Sequence, residues 1–413
     1  MKYGLIGEKL GHSFSKTIHE KISDAEYKLR ELSEKELESF MKEKAFEGIN
    51  VTIPYKTKVI PYLDYIDEAA RKIGAVNTII NREGKLYGYN TDFDGMKKLT
   101  QKIGFDYSDS KVLILGTGGT AATARAVAEF LGAESVINVG RSYGFSENYT
   151  DYENVYTLHG DADYIINTTP LGMYPDCESF AVDVSAFPKL KGVLDAVYNP
   201  IRTRLCQKAE ACGVKSISGL YMLVAQAVAA AEKFTEGEIS AEGKTDEIYN
   251  EILKEKRNIV LIGMPGSGKT TLGKILSEKL CKAFVDTDEI IKEKYGDISE
   301  IFSQKGEIFF REKESEVIKE ISIQNGLVIA TGGGAILRKE NVERLKQNGV
   351  LVFVDRPLSR IIPTDNRPLS KDTASLEKLF NERYEIYKSA ADVIVSAEKS
   401  EEETALEIME ILK

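Results

Sequence analysis

The stretch "IVLIGMPGSGKTT" occupies residues 259–271 of a 413-residue chain. An apolar run leads straight into a glycine-rich turn that ends in a lysine and two threonines. The pattern G-x-x-x-x-G-K-[ST] is met at every specified position, by Gly263, Gly268, Lys269 and Thr270. A strand, this turn and a following helix form the setting in which such a loop wraps phosphates. The backbone around Gly266, Ser267 and Gly268 would face the anion, with Thr271 closing the turn. Lys269 would reach the β and γ oxygens, and the Thr270 hydroxyl would ligate Mg²⁺. The pattern predicts an α/β unit whose parallel sheet carries the loop at a strand end.

A second glycine turn, "VLILGTGGTAATA", lies earlier, at 112–124. Gly116 and Gly118 take the first two glycine places of a dinucleotide fingerprint, and Ala121 takes the third. Alone, this is equally a plain strand-to-helix turn. The next strand, "SVINVGRS" (135–142), ends in Gly140, Arg141 and Ser142. An NAD binder tends to place an acidic residue there. An arginine and a hydroxyl suit a 2′-phosphate and point to NADP. The competing reading keeps Arg141 as a solvated loop residue.

Working outward, short apolar runs alternate with helical patterns. Strands are expected at 2–6, 48–52, 76–81, 112–115, 135–139, 164–167 and 193–195, then at 259–262, 283–286, 327–330 and 350–355. The alternation argues for parallel sheets with helices on both faces. The clearest seam is 235–258. Within it "DEIYNEILKEK" reads as the closing helix of the first half, with Ile248, Ile252 and Leu253 at helical spacing, which leaves a joint of only 255–257. A further seam falls near residue 101. No internal repeat or low-complexity tract is present.

A net charge of -10 argues against nucleic acid as a partner. Four cysteines without Cys-x-x-Cys spacing and three histidines argue against zinc and a disulfide framework. No unbroken apolar run nears the ~18 residues of a membrane span, and the N-terminus lacks a signal-peptide pattern. A cytoplasmic enzyme of small molecules is expected.

Ahead of the first loop, "GHSFSKT" sets Ser13 and Ser15 two apart, facing one way if extended. "EGINVTIPYK" ends a strand at Thr52 and places Lys56 beyond it, and "GYNTDFDG" carries Asp92 and Asp94. A lysine and an aspartate on strand-end loops can make an acid–base pair. Taken singly, each is an ordinary surface charge.

Six ordered segments, "NVTIPYK", "GAVNTI", "GYNTDFDG", "GTGGTAATA", "INTTPLGM" and "SGLYMLVAQA", resemble the shikimate dehydrogenase family over roughly 1–255. The resemblance implies reduction of 3-dehydroshikimate to shikimate with NADPH. It also implies a substrate lobe at 1–100 to which helices of about 220–255 return, and a Rossmann NADP domain at 101–219. By that resemblance Ser13 and Ser15 bind the substrate carboxylate. Thr52, Asn77, Asp92 and Gln226 hold its hydroxyls, and Tyr198 closes over it. Lys56 is the catalytic residue, paired with Asp92. Gly116, Thr117, Gly118, Gly119, Thr120, Arg141, Ser142, Thr168 and Gly219 line the cofactor site. The family's Asn-Arg-Thr is replaced here by Gly140-Arg141-Ser142, and a second basic residue is lacking in the segment after it.

Beyond the P-loop, "FVDTDEII" sets Asp286 and Asp288 two apart at a strand end. "GEIFFREKESE" places Arg311 and Glu314 at i, i+3. "ATGGGAIL" ends a strand in three glycines, and Arg367 and Arg383 follow. Arginines beside a triphosphate site suit an acidic acceptor. Arg311 is otherwise a salt-bridge partner of a neighbouring glutamate. In this order the segments resemble shikimate kinase over roughly 258–413. That resemblance implies that Asp288, Arg311, Gly333 and Arg383 bind shikimate, with Asp288 accepting or orienting the 3-hydroxyl proton. It implies that Asp286 holds Mg²⁺ through water, that Arg367 descends from a lid onto the phosphates, and that Arg360 stacks on adenine. The stretch from 352 to the lid is short for the family. Two other readings stay open: quinate oxidation or NAD use in the first half, and one half serving only as a binding module.

Overall fold

The computed structural model describes residues 1–10, 14–141, 148–239, 243–361 and 373–412. The chain divides into two units, Met1–Ile252 and Leu253–Lys413.

The first unit holds two sheets. Strands β1 (Tyr3–Gly7), β2 (Tyr27–Glu31), β3 (Gly48–Val51), β4 (Tyr65–Ile66), β5 (Thr78–Arg82) and β6 (Lys85–Tyr89) run in the order β2-β1-β3-β5-β6-β4. This sheet is mixed, unlike the all-parallel expectation: β5 is antiparallel to both β3 and β6. The cause is local. Glu83 and Gly84 both take positive φ, 51° and 81°, so β5 and β6 close as a two-residue hairpin. β2 escapes a periodicity reading because four of its five residues are exposed at the sheet edge. A core of Ile6, Met41, Ile49, Val76, Ile79 and Leu86 packs one face.

Strands β7 (Lys111–Leu115), β8 (Ser135–Gly140), β9 (Tyr149–Asp151), β10 (Tyr164–Asn167), β11 (Gly192–Asp195) and β12 (Lys215–Ser218) form the second sheet, ordered β12-β11-β10-β7-β8-β9. Every pair is parallel. The chain leaves β7 on one side and returns through β10 on the other. That switch opens a crevice at the carboxyl ends of β7 and β10, where ligands of doubly wound sheets sit. Helices cover both faces, over cores built on Val112, Ile114 and Ile166 on one side and Leu113, Ile165 and Val193 on the other.

The second unit has one sheet: β13 (Asn258–Ile262), β14 (Ala283–Asp286), β15 (Leu327–Ala330), β16 (Gly349–Asp355) and β17 (Val393–Ser396), ordered β14-β15-β13-β16-β17. All its pairs are parallel. β13 is central and fully buried, and the glycine-rich loop leaves its carboxyl end. Among the described residues, β16 is followed by a three-residue 3-10 turn, Leu358–Arg360, and the next helix is Thr373–Ala390.

Candidate active sites

In the first unit, three strand-end segments converge. β3 ends at Val51, and the backbone N–H of Thr52 donates to Ile6 O at 2.9 Å. The chain turns and fastens Lys56 by its carbonyl, which accepts from Val76 N at 2.8 Å. Asp92 sits in the first turn of helix Thr91–Ile103, whose N-terminus Asn90 caps through Phe93 N. Lys56 Nζ donates to Asp92 Oδ2 at 2.6 Å, with the two side chains 21% and 13% exposed. Thirty-six positions separate them in sequence, so the fold, and no local spacing, makes the pair. It is half-sheltered and reachable by a small molecule.

Asn77 is buried, and its Oδ1 accepts from Thr91 N at 2.7 Å and from the hydroxyls of Thr78 and Thr91. It thus anchors the helix that presents Asp92. Gln226, on helix Leu220–Phe234, is brought in by a close helix crossing. A Cβ on Gly95 would lie 2.7 Å from Met222 O and 3.0 Å from Gln226 Cβ. Tyr198 packs against Phe14 with ring centroids 5.4 Å apart, and burial raises its phenol pKa. Ser15 is buried as the first residue of helix Ser15–Ile22, so it is helical where an extended segment was expected. Ser13, Ser142 and Arg367 lie outside the described residues.

At the crevice of the second sheet, Gly116 takes φ 116°, and a Cβ there would meet Thr168 Oγ1 at 2.7 Å. Thr168 itself is tied to Leu115 O. Gly118 and Gly119 instead open the helix Gly119–Phe130, and a Cβ on either would meet nothing within 4 Å. The loop is thus closed toward β10 and open at the helix N-terminus, the shape a pyrophosphate needs. Thr117 and Thr120 flank that opening. Gly219 approaches β11 so closely that a Cβ would lie 2.2 Å from Ala196 O. Arg141 stands exposed at the end of β8. These residues fit a dinucleotide with a 2′-phosphate.

In the second unit, one cavity of about 300 Å³ gathers most of the predicted residues: Gly266, Gly268, Lys269, Thr270, Thr271, Asp286, Asp288, Arg311, Gly333 and Arg383. Lys269 is 8% exposed, its ammonium donating to Gly263 O and Met264 O at 2.9 Å each. Thr270 Oγ1 donates to Asp286 Oδ2 at 2.7 Å. A hydroxyl and a carboxylate side by side at the loop mouth fit Mg²⁺ that keeps several waters. Asp286 Oδ1 accepts from Asp288 N, which aims the two carboxylates differently. Asp288 Oδ1 is out of contact with solvent and accepts no hydrogen bond among the described residues. Burial, then the charges of Asp286 and Glu314, push the Asp288 carboxyl up to about 6.

Arg311 pairs with Glu314 at 2.7 Å and with Glu307 at 3.1 Å while also lining the cavity. Arg311 and Arg383 are 8% and 6% exposed, and Arg383 Nη1 donates to Gly333 O at 3.2 Å. Two sheltered guanidiniums beside one cavity suit an acidic ligand. The glycines give the room they use: a Cβ on Gly334 would lie 2.1 Å from Arg311 Nη1, and one on Gly332 2.5 Å from Asp288 Oδ1. Ser267 is buried behind the loop and does not line the cavity. Arg360 is exposed, donates to Glu398 O, and does not line it either.

Sequence reasoning missed three supports. Asn138 Nδ2 donates to Gly116 O at 2.9 Å and fixes the glycine turn. Asp195, fully buried at the end of β11, accepts from Asn167, Val197 N and Thr203, and so ties the loop carrying Thr168 to the loop carrying Tyr198. Thr287 Oγ1 accepts from Gly332 N and holds the glycine loop on the two aspartates. Polar residues closing strands of an apolar sheet, as Asn167 and Asp195 do, were the available signal.

Two family models match the chain: the shikimate dehydrogenase substrate binding domain over residues 5–79 and shikimate kinase over 265–413. A shikimate dehydrogenase (NADP(+)) of Clostridium perfringens is 39% identical over 267 residues, covering 60% of this chain and 97% of that protein. A solved chorismate mutase/shikimate 5-dehydrogenase fusion from Clostridium acetobutylicum is 37% identical with a TM-score of 0.57, covering 60% of this chain and 96% of that one. The shikimate 5-dehydrogenase of Thermus thermophilus, solved with NADP(H) and shikimate, is 26% identical with a TM-score of 0.54, covering 61% and 99%. With a lysine–aspartate pair in the first unit and a P-loop cavity in the second, the chain belongs to the shikimate dehydrogenase family and carries a shikimate kinase domain, a two-activity enzyme of the shikimate pathway.

Proposed function

We propose that the first unit reduces 3-dehydroshikimate to shikimate with NADPH and that the second converts shikimate to shikimate 3-phosphate with ATP and Mg²⁺. The observation that carries the first step is the 2.6 Å Lys56–Asp92 pair. When bound, NADPH supplies the hydride that the carbonyl carbon accepts. Lys56, as an ammonium, stabilises the charge growing on the carbonyl oxygen and donates the proton that completes the hydroxyl. Asp92 orients Lys56. Thr52, Asn77 and Gln226 hold the ring hydroxyls, Ser13 and Ser15 the carboxylate, and Tyr198 closes over the ring. Arg141 takes the 2′-phosphate. We assign residues 1–100, with the helices of about 220–255, to the substrate lobe, 101–219 to the cofactor domain and 258–413 to the kinase. Three separate sheets support that division.

For the second step, the cavity lined by loop, aspartates and arginines carries the reading. ATP supplies the phosphoryl group. Arg311 and Arg383 grip the carboxylate of shikimate. Asp288 accepts the proton of the 3-hydroxyl as its oxygen bonds to the γ-phosphorus, and the bond to the leaving ADP breaks. Lys269 neutralises the transferring group, while Thr270 and Asp286 hold the metal.

A coupled assay of purified protein tests both steps, with 3-dehydroshikimate, NADPH and ATP–Mg²⁺ supplied and NADPH and ADP followed. Lys56→Ala should abolish NADPH oxidation and spare ADP formation from added shikimate; Lys269→Ala should do the reverse. Loss of both activities from either change would refute two independent sites. Equal or better turnover of quinate with NAD would refute the substrate and cofactor assignment.

A further inference from the structure

The P-loop of this chain has a second cation that its motif does not contain. Arg356 directly follows β16, which lies beside β13 with Phe353 opposite Ile262. The strand therefore delivers Arg356 level with the loop, and a Cβ on Gly263 would lie 2.9 Å from Val354 O. Arg356 Nη1 sits 3.2 Å from where a Cβ on Gly268 would be. Gly268 is the N-cap of helix Lys269–Leu280, with φ 92°. The guanidinium thus rests against the N-cap of the P-loop helix, beside the cavity that Gly268 lines, although Arg356 itself, like Arg360, is not among the residues lining that cavity.

Its existing partnership is thin. Arg356 Nη2 reaches Glu401 Oε1 at 3.4 Å, at the start of helix Glu401–Ile411, with the Arg356 side chain 22% exposed. Its Nε is out of solvent and has no acceptor among the described residues. A sheltered guanidinium with one long ion pair, to Glu401, and an idle Nε donor has capacity left for a further anion. Arg360 differs. It is exposed, and its guanidinium is spent on Glu398 O, in the loop between β17 and the last helix. The 3-10 turn Leu358–Arg360 leaves Arg360 at the surface, whereas Arg356, at the end of the strand, lies at the loop.

We propose that Arg356, in addition to the Arg367 that the family resemblance assigns to the phosphates, is offered by this domain to the phosphate end of the bound nucleotide. Arg360 then serves as a tie on the neighbouring loop. The inference rests on the kinase reading, but its test does not require turnover.

The full chain carrying R356M, R356K, R360M or E401Q is titrated with ADP–Mg²⁺, adenosine and tripolyphosphate by calorimetry, and KM is measured for ATP and shikimate. R356M should weaken ADP and tripolyphosphate together by tenfold or more, and raise KM for ATP while leaving KM for shikimate within twofold. R356K should recover part of the loss, and R360M should change ADP affinity less than threefold. E401Q, which removes the competing carboxylate, should leave ADP binding unchanged or tighter. Three results would overturn the proposal: unchanged ADP affinity in R356M, weakening of ADP and adenosine but not tripolyphosphate, or equal losses of Tm and ADP affinity in R356M and E401Q. A wild-type protein that binds ADP but never phosphorylates shikimate would overturn the kinase reading, while the arginine titrations would still decide this one.

Discussion

Replacing Asp288 by asparagine should make the second unit more stable and catalytically dead at the same time. The carboxyl is pushed up to about 6 from the ordinary 3.8, first by burial and then by the neighbouring carboxylates Asp286 and Glu314. The sign follows from linkage. A carboxyl whose folded-state pKa is raised contributes stability that is fully present below the unfolded value and lost as pH rises through the folded one. At pH 7.5 the ionised Asp288 therefore destabilises the fold. The ceiling is about 3 kcal/mol, at roughly 1.4 kcal/mol per tenfold change in acidity. Asparagine is neutral at every pH and nearly the same shape. The variant should gain up to about 3 kcal/mol at pH 7.5, a rise of up to roughly 6–12 °C in Tm for a unit of this size. The gain should vanish toward pH 4, where the wild-type carboxyl is itself neutral. Phosphorylation should fall by about 10²–10⁴, the usual worth of a positioned general base. The assay is thermal unfolding from pH 4 to 8, reading the transition that ADP–Mg²⁺ shifts, beside initial rates of ADP release. An Asp288→Asn protein no more stable than wild type at pH 7.5 would refute the desolvation argument. One retaining more than a tenth of the phosphorylation rate would refute the role.

Two predictions concern the first unit. Arg141→Ala should raise KM for NADPH by roughly ten- to a hundredfold, since a charge-assisted hydrogen bond is worth about 1.5–3 kcal/mol. It should leave KM for NADH nearly unchanged; parallel losses with both cofactors would place Arg141 outside the 2′-phosphate site. Asp195→Ala strands the three donors that now end on its carboxylate. At about 1–3 kcal/mol per orphaned buried donor, chemical denaturation should show a loss on the order of 3 kcal/mol or more, with reduced dehydrogenase kcat. Asp195→Asn should cost far less, because Oδ1 still accepts and the Thr203 hydroxyl can turn to accept from the new amide. Equal losses in the two variants would contradict this account.

Much of this molecule was legible locally. Both glycine turns declare themselves because a strand, a run of φ-permissive residues and a helix are adjacent in sequence, and the structure places Gly116 and Gly268 at positive φ as such turns require. Asp286 and Asp288 reach one cavity because a two-residue step at a strand end is a local constraint. The antiparallel β5 was read as one more parallel strand although the Glu83–Gly84 turn was in view, because strand direction depends on what the chain does next. The edge strand β2 was invisible to periodicity because an exposed edge has no apolar face to repeat.

By itself the amino-acid sequence determined what is held within a few bonds of the backbone: the two nucleotide loops, the strand-and-helix alternation and the residue types at strand ends. Tertiary structure alone decided which charges meet. Lys56 finds Asp92 across thirty-six positions, Asp195 ties two loops that the sequence keeps apart, and Arg356 rather than Arg360 comes to rest on the P-loop. The physical reason is that local conformation is set by nearest-neighbour sterics. The pairing and pKa of a charge depend instead on what the whole fold removes from water around it.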